Sequence, residues 1–313
     1  MKTYDIWASL WNFELSPSQK AVKIGDFEII EKERQNFSND FWGKVVNIGL
    51  PESDTRLLLT LAHLYTAQQS RDFPPYIIKT KLEFEDAFDF SRADKKIKSF
   101  ILALRLYKEG DVIGRFLAGT PSEEKYSQSL FFDTNNFQGI ENKYTLDSVS
   151  KFKDFLEKFG EVDNLIDSVP LDRFSLAYSH YQSPVEKLID LVIVLESLFN
   201  KSPSDVKFKI ALRAAHLLGN SDHGDIHSIY KEIKSIYELR NSIVHGHKLK
   251  EEEIANVKEA NRVLNPIIRT ILLKSINLRQ SGKLDLFEND DESEIDNILL
   301  NTQLLDKKWP KRS

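Results

Sequence analysis

The sequence predicts an α+β chain, with a mixed N-terminal half followed by an all-helical C-terminal half. Three observations predict it. Before residue 120, short aromatic or β-branched segments alternate with turn residues. From Thr145 onward, apolar residues recur at helical spacing and helix start and stop signals appear between them. The charge changes with the pattern: residues 1–200 carry a net −7, residues 201–283 a net +6 and residues 284–313 a net −4.

In the first half, Tyr4 to Leu10 and Phe27 to Glu31 read as strands, the second following the turn pair Gly25-Asp26. Tyr76 to Phe84 follows Pro74-Pro75 and partly alternates apolar with charged residues, as a half-exposed strand does. Arg92 to Lys108 reads as a helix whose buried stripe is Ile97, Phe100, Ile101, Leu104 and Tyr107. Val112 to Leu117 is a further strand after Gly110-Asp111, and Leu57 to Thr66 a shorter helix. Thr120 to Tyr144 is polar, with Pro, Asn and Gly, and reads as a loop or insertion.

The second half is read as helices. Thr145 starts one that runs to about Phe159, and Pro170 opens a short one over Leu171 to Tyr178. Ser183-Pro184 supplies an N-cap and a first-turn proline for a helix to about Asn200. Ser204 begins the next, which ends at Gly219-Asn220. A helix from about Asp222 reaches His245 with Gly246 as its stop, and another spans Glu251 to Leu278 with a bend at Pro266. The expected domains are an α+β domain at 1–144, a helical bundle at 145–283 and an acidic, amphipathic tail at 284–313.

Composition narrows the function classes. The chain has 313 residues, 41% hydrophobic and 29% charged, which suits a globular protein with a sizeable core. It has no cysteine, so disulfide scaffolds, thiol nucleophiles and Cys-ligated zinc are excluded. No run of about 18 apolar residues suggests a membrane span, and residues 1–16 lack the layout of a signal peptide. A cytoplasmic, membrane-free protein is expected, with no metal and no cofactor.

Three helices carry a charge where their stripe calls for an apolar residue. In the helix ending at His245, the stripe is Ile226, Ile229, Tyr230, Ile233, Ile236, Tyr237, Ile243 and Val244, and Arg240 falls within it. Glu196 sits in the stripe Val185, Leu188, Ile189, Val192, Leu195, Phe199, and Arg213 on the line of Ile210, Ala214 and Leu217. A charge at such a position must be paired or must line a site, because burying it alone costs several kcal/mol. Glu196 is expected to pair with one arginine, leaving the other to meet an external anion. His245 lies about 140° around the helix from Arg240, while Asn241 and His245 share a face.

The string Tyr237-Glu-Leu-Arg-Asn-Ser-Ile-Val-His-Gly246 resembles the signature of the HEPN superfamily, an Arg followed by a polar residue and then a His at a helix end. LIDLVIVLESLF at 188–199 and KIALRAAHLLG at 209–219 resemble its Apea-like branch, and the similarity spans about residues 170–280. The resemblance implies a HEPN helical bundle that forms a homodimer through the signature helices. It also implies a metal-independent endoribonuclease, of a kind that acts in prokaryotic host defence as an abortive-infection or toxin-like enzyme. Arg240 would bind the scissile phosphate and His245 would be general acid/base for attack by the RNA 2′-hydroxyl, giving a 2′,3′-cyclic phosphate and a 5′-hydroxyl. Asn241 would orient the histidine or the phosphate, and Tyr237 and His247 join it as residues expected to orient substrate. Glu196 and Arg213 are the buried charge support. The alternative is a non-catalytic HEPN dimerisation or binding module whose specificity comes from the N-terminal domain.

RNA is the expected substrate, and RNA itself supplies the nucleophile, so neither cysteine, metal nor serine triad is required. A regulatory partner would engage the N-terminal domain or the acidic tail, and the tail itself could fold over the basic block. Lys207, Lys209, Lys231, Lys234, Lys248 and Lys250 flank the signature and could meet the RNA backbone, with ordinary surface lysines as the equal alternative. His223 and His227, spaced i,i+4, read as a surface pair near a helix start ahead of half a metal site, since no third ligand is evident beyond Asp222 and Asp225. Trp7, Trp11, Trp42 and the phenylalanines read as core ahead of a base-stacking platform.

Overall fold

The computed structural model describes residues 1–15, 21–31, 76–85, 89–121, 129–132, 143–159, 167–178, 183–246 and 250–300. The chain divides into two compact units, Met1–Ile166 and Asp167–Ser313.

The first unit is built on strands β1 (Lys2–Trp11), β2 (Phe13–Leu15), β3 (Ala21–Ile24), β4 (Phe27–Glu31) and β5 (Tyr76–Phe84). They are followed by helix α1 (Phe90–Tyr107), strands β6 (Ile113–Pro121), β7 (Ser129–Phe132) and β8 (Tyr144–Leu146), and helix α2 (Val149–Lys158). Six strands form an antiparallel sheet in the order β3-β4-β5-β1-β6-β7, while β2 and β8 pair in parallel. β3 and β4 meet at Ile24↔Phe27 across the two-residue Gly25-Asp26 turn. Gly25 has φ +56°, the left-handed conformation this hairpin class assigns to glycine. Tyr4, Ile6, Ala8 and Leu10 alternate along β1 into a core shared with Ile29, Ile78 and the α1 residues Ile97, Phe100 and Leu104.

Two expectations are corrected in this unit. Thr120 to Tyr144 is not wholly loop, because β7 adds to β6 at Phe116↔Phe132 and β8 begins at Tyr144. The helix assigned to the bundle from Thr145 starts instead after its N-cap Ser148, and it packs on α1 and β3. Phe152 is fully buried in the sheet core, its ring 5.8 Å from that of Phe100 and 5.2 Å from that of Tyr107. The boundary between compact units therefore lies at 166/167 and not at 144/145. The helix expected at Leu57 to Thr66 lies outside the described residues.

The second unit runs through α3 (Val169–Leu176), α4 (Pro184–Phe199), α5 (Val206–Leu218), α6 (Ile226–Val244), α7 (Glu251–Gln280) and α8 (Glu292–Leu299). α4 is the central helix and packs against α3, α5, α6 and α7. It begins with a full capping box, in which the Ser183 hydroxyl accepts from the Glu186 N–H and the Glu186 carboxylate accepts from the Ser183 N–H. α7 carries Pro266 within one helix, and the Thr270 hydroxyl donates to the Pro266 carbonyl. Among the described residues no helix is long and apolar enough to cross a membrane.

The segment after residue 284 is part of this unit. Leu284, Leu286, Ile295 and Leu299 are buried, and α8 packs on α5. At about 1.5–3 kcal/mol for each buried aliphatic side chain, this anchors the segment as a structural element of the bundle. Residues 284–300 are therefore not the separate tail expected over 284–313, and residues 301–313 lie outside the described residues.

Candidate functional site

The last two turns of α6 carry the signature residues. α6 is launched by Asp225, whose carboxylate accepts from the N–H groups of His227 and Ser228. It buries Ile229, Ile233, Ile236 and Tyr237 against the bundle. Val244, placed in the stripe by its spacing, is exposed instead, because the helix has run past the end of the core. The helix closes at His245, whose N–H donates to the Asn241 carbonyl, and Gly246 follows at φ +86°, the left-handed stop that glycine permits.

Arg240 is held in a network drawn from two helices. Its Nη2 donates to Glu196 Oε2 on α4 at 3.2 Å, and its Nη1 to Asn241 Oδ1 at 3.1 Å. The guanidinium lies 5.7 Å from the centre of the Tyr237 ring, a cation–π distance. Tyr237 donates its hydroxyl to the other oxygen of Glu196 at 2.8 Å. Burial, reinforced by this hydrogen bond to a carboxylate, pushes the Tyr237 phenol up to about 12. One carboxylate thus receives two donors that fix it in place. The Arg240 side chain keeps 18% of its exposure, and its Nε–H has no partner. The His245 side chain is exposed. His247 lies outside the described residues.

Arg213 meets a different fate from the one expected. It is 1% exposed, and it does not await an external anion. Its Nε and Nη2 donate to the two carboxylate oxygens of Asp296 at 2.7 and 3.0 Å, and its Nη1 donates to Glu292 at 3.2 Å and to the Phe199 carbonyl. Burial disfavours its charge, but Asp296 and Glu292 outweigh that and raise its pKa. Glu292 also accepts from Lys209 at 2.8 Å and from the Ser202 hydroxyl at 3.1 Å. Those bonds, led by the one from Lys209, pull its carboxyl down to about 2.

Both stripe arginines are therefore paired internally, and neither requires an outside anion to offset its charge. The missed residues, Glu292 and Asp296, lie four apart on the acidic stretch, on a helix whose Ile295 and Leu299 are buried. That spacing was the available signal. Lys201 with Asp290, and Arg279 with Asp285 and Glu288, extend the same pairing, so acidic residues of the tail neutralise part of the basic block.

The two histidines read as a surface pair do not share a helical face. His223 precedes the Asp225 cap and its Nε2 bonds to the Thr270 hydroxyl at 2.9 Å, while His227 is exposed in the first turn of α6. Among the described residues, no group of three or more His, Asp or Glu is placed to hold a metal ion. Compared with known proteins, the chain matches no family model, no curated sequence and no solved structure.

Proposed function

We propose that the chain is a metal-independent endoribonuclease whose site is completed by a second copy. The observation that carries this reading is the pairing, on one helix end, of a part-buried arginine fixed by Glu196 with an exposed histidine five residues on. The Arg240 fork suits a phosphate. The His245 imidazole suits proton transfer near neutral pH. The two point about 140° apart around α6, so they converge on one phosphate only when two α6 ends face each other. Val244, four residues after Arg240 and half exposed, offers an apolar contact beside the arginine for that partner.

In the reaction, the 2′-hydroxyl oxygen attacks phosphorus and its proton passes to one imidazole. The bond to the 5′-oxygen breaks, and the second copy's imidazolium protonates that leaving oxygen. Arg240 offsets the charge that builds on the non-bridging oxygens. The resemblance in sequence adds the setting, a defence role in prokaryotes. A second reading, a non-catalytic helical binding module, is favoured by one observation: both stripe arginines already have carboxylate partners.

RNA cleavage in EDTA decides between them. Wild type should leave 2′,3′-cyclic phosphate and 5′-hydroxyl ends. His245→Ala and Arg240→Ala should each lose about 100-fold or more in rate with an unchanged circular dichroism spectrum. Cleavage that survives both substitutions, or a wild type inert towards RNA, would favour the binding module.

A further inference from the structure

We propose that the outer stripe of α6 is a track for single-stranded RNA, with Phe208 as the platform on which a base stacks several nucleotides from the scissile phosphate. This inference rests on the nuclease reading and extends it to how substrate is held. Phe208, on α5, is a large apolar side chain left 51% exposed. Its ring meets that of Tyr230 on α6 edge-to-face, at 6.2 Å between centroids and 73° between planes. The edge contact holds the Phe208 ring while the residue stays open to solvent.

The helical wheel links that platform to the site. At 100° per residue, Lys234, Asn241 and His245 fall about 40°, 20° and 60° from Tyr230, and Lys231 about 100°. They form one longitudinal sector on α6. Glu238 falls in the same sector, but Lys207 neutralises it through a 2.6 Å ion pair, leaving Lys231 and Lys234 as the net charge. Tyr230 and His245 are about 22 Å apart along the axis, which a stacked strand spans with about six nucleotides. Exposed aromatic surface at one end, lysines between, and the histidine at the other make the arrangement by which single strands are bound without regard to sequence.

The test uses a fluorescent 2′-O-methyl RNA decamer, which cannot be cleaved, for affinity, and an RNA dinucleotide, too short to reach Phe208, for turnover. Phe208→Ala should weaken decamer binding roughly 5- to 150-fold and leave dinucleotide turnover unchanged. Phe208→Trp should restore binding and Phe208→Leu should not, since leucine keeps apolar bulk without a π face. The double variant Lys231→Gln/Lys234→Gln should lower the slope of log affinity on log salt by about 1.4. Decamer affinity unchanged in Phe208→Ala would overturn the track and leave the nuclease reading standing, as would equal loss of binding and dinucleotide turnover. A wild type that neither binds the decamer nor cleaves the dinucleotide overturns both. Loss of self-association in Phe208→Ala with RNA affinity intact would assign the face to protein contact and overturn the track.

Discussion

Replacing Glu292 by glutamine should separate the contribution of the α8 lock, the ion pairs of Glu292 with Lys209 and Arg213, from that of the apolar contacts beside it. The amide keeps the size and some hydrogen bonds but removes the charge that faces Lys209 and Arg213. Moving a carboxyl from 4.5 to about 2 corresponds to about 3 kcal/mol as a ceiling. The Glu292 side chain keeps 25% of its exposure, and solvent screening reduces the figure to about 1–2 kcal/mol. Because the folded-state value is depressed, this stabilisation is complete above about pH 5 and fades as pH falls from 4.5 towards 2. Urea unfolding at pH 7 should therefore place the variant's helical transition roughly 0.5–1 M below wild type, with the gap closing by pH 2.5. Circular dichroism at 222 nm follows the helices, while tryptophan fluorescence reports chiefly on the sheet unit, which holds three of the four tryptophans. Equal midpoints at pH 7, or a gap that persists undiminished at pH 2.5, would refute the electrostatic account of the lock.

Other outcomes follow from the same contacts. Tyr237→Phe should cost about 1 kcal/mol, and a double-mutant cycle with Glu196→Gln should show coupling of about 0.5–1.5 kcal/mol; additive effects would mean that the 2.8 Å contact holds nothing in place. In wild type, the Tyr237 phenol should titrate near pH 12 in absorbance at 295 nm, and Tyr237→Phe should remove that component. The stability this phenol lends is present below pH 10 and is lost as pH rises from 10 towards 12. Phe152→Ala should destabilise the sheet unit by about 3–5 kcal/mol, seen by tryptophan fluorescence, because its ring is fully buried there; an effect confined to the bundle would return α2 to the other unit.

The sequence carried the elements further than their assembly. The α1 stripe is legible because Ile97, Phe100, Ile101 and Leu104 repeat at helical spacing, and all four are buried. The start of α4 is legible because Ser183, Pro184 and Glu186 spell a capping box within four residues. β7 was not legible: Ser129 to Phe132 is a four-residue run inside a polar stretch, and its pairing with β6 is a long-range fact that no local pattern encodes. The place of α2 was equally hidden, since an amphipathic helix announces that it has an apolar face without saying which core receives it.

The candidate site divides along the same line. Periodicity alone identified Glu196, Arg213 and Arg240 as charges at apolar positions, and each does make an ion pair. Periodicity could not choose the partners. Arg240 and Glu196 are 44 residues apart, and Arg213 and Asp296 are 83 apart, so only the packing of α6 on α4 and of α8 on α5 brings them together. The sequence by itself determined that these charges need partners, because an unpaired buried charge is costly wherever the chain puts it. The tertiary structure decided which carboxylate meets which arginine. It thereby removed Arg213 from the candidate site and left Arg240 part-exposed beside His245 at the end of α6.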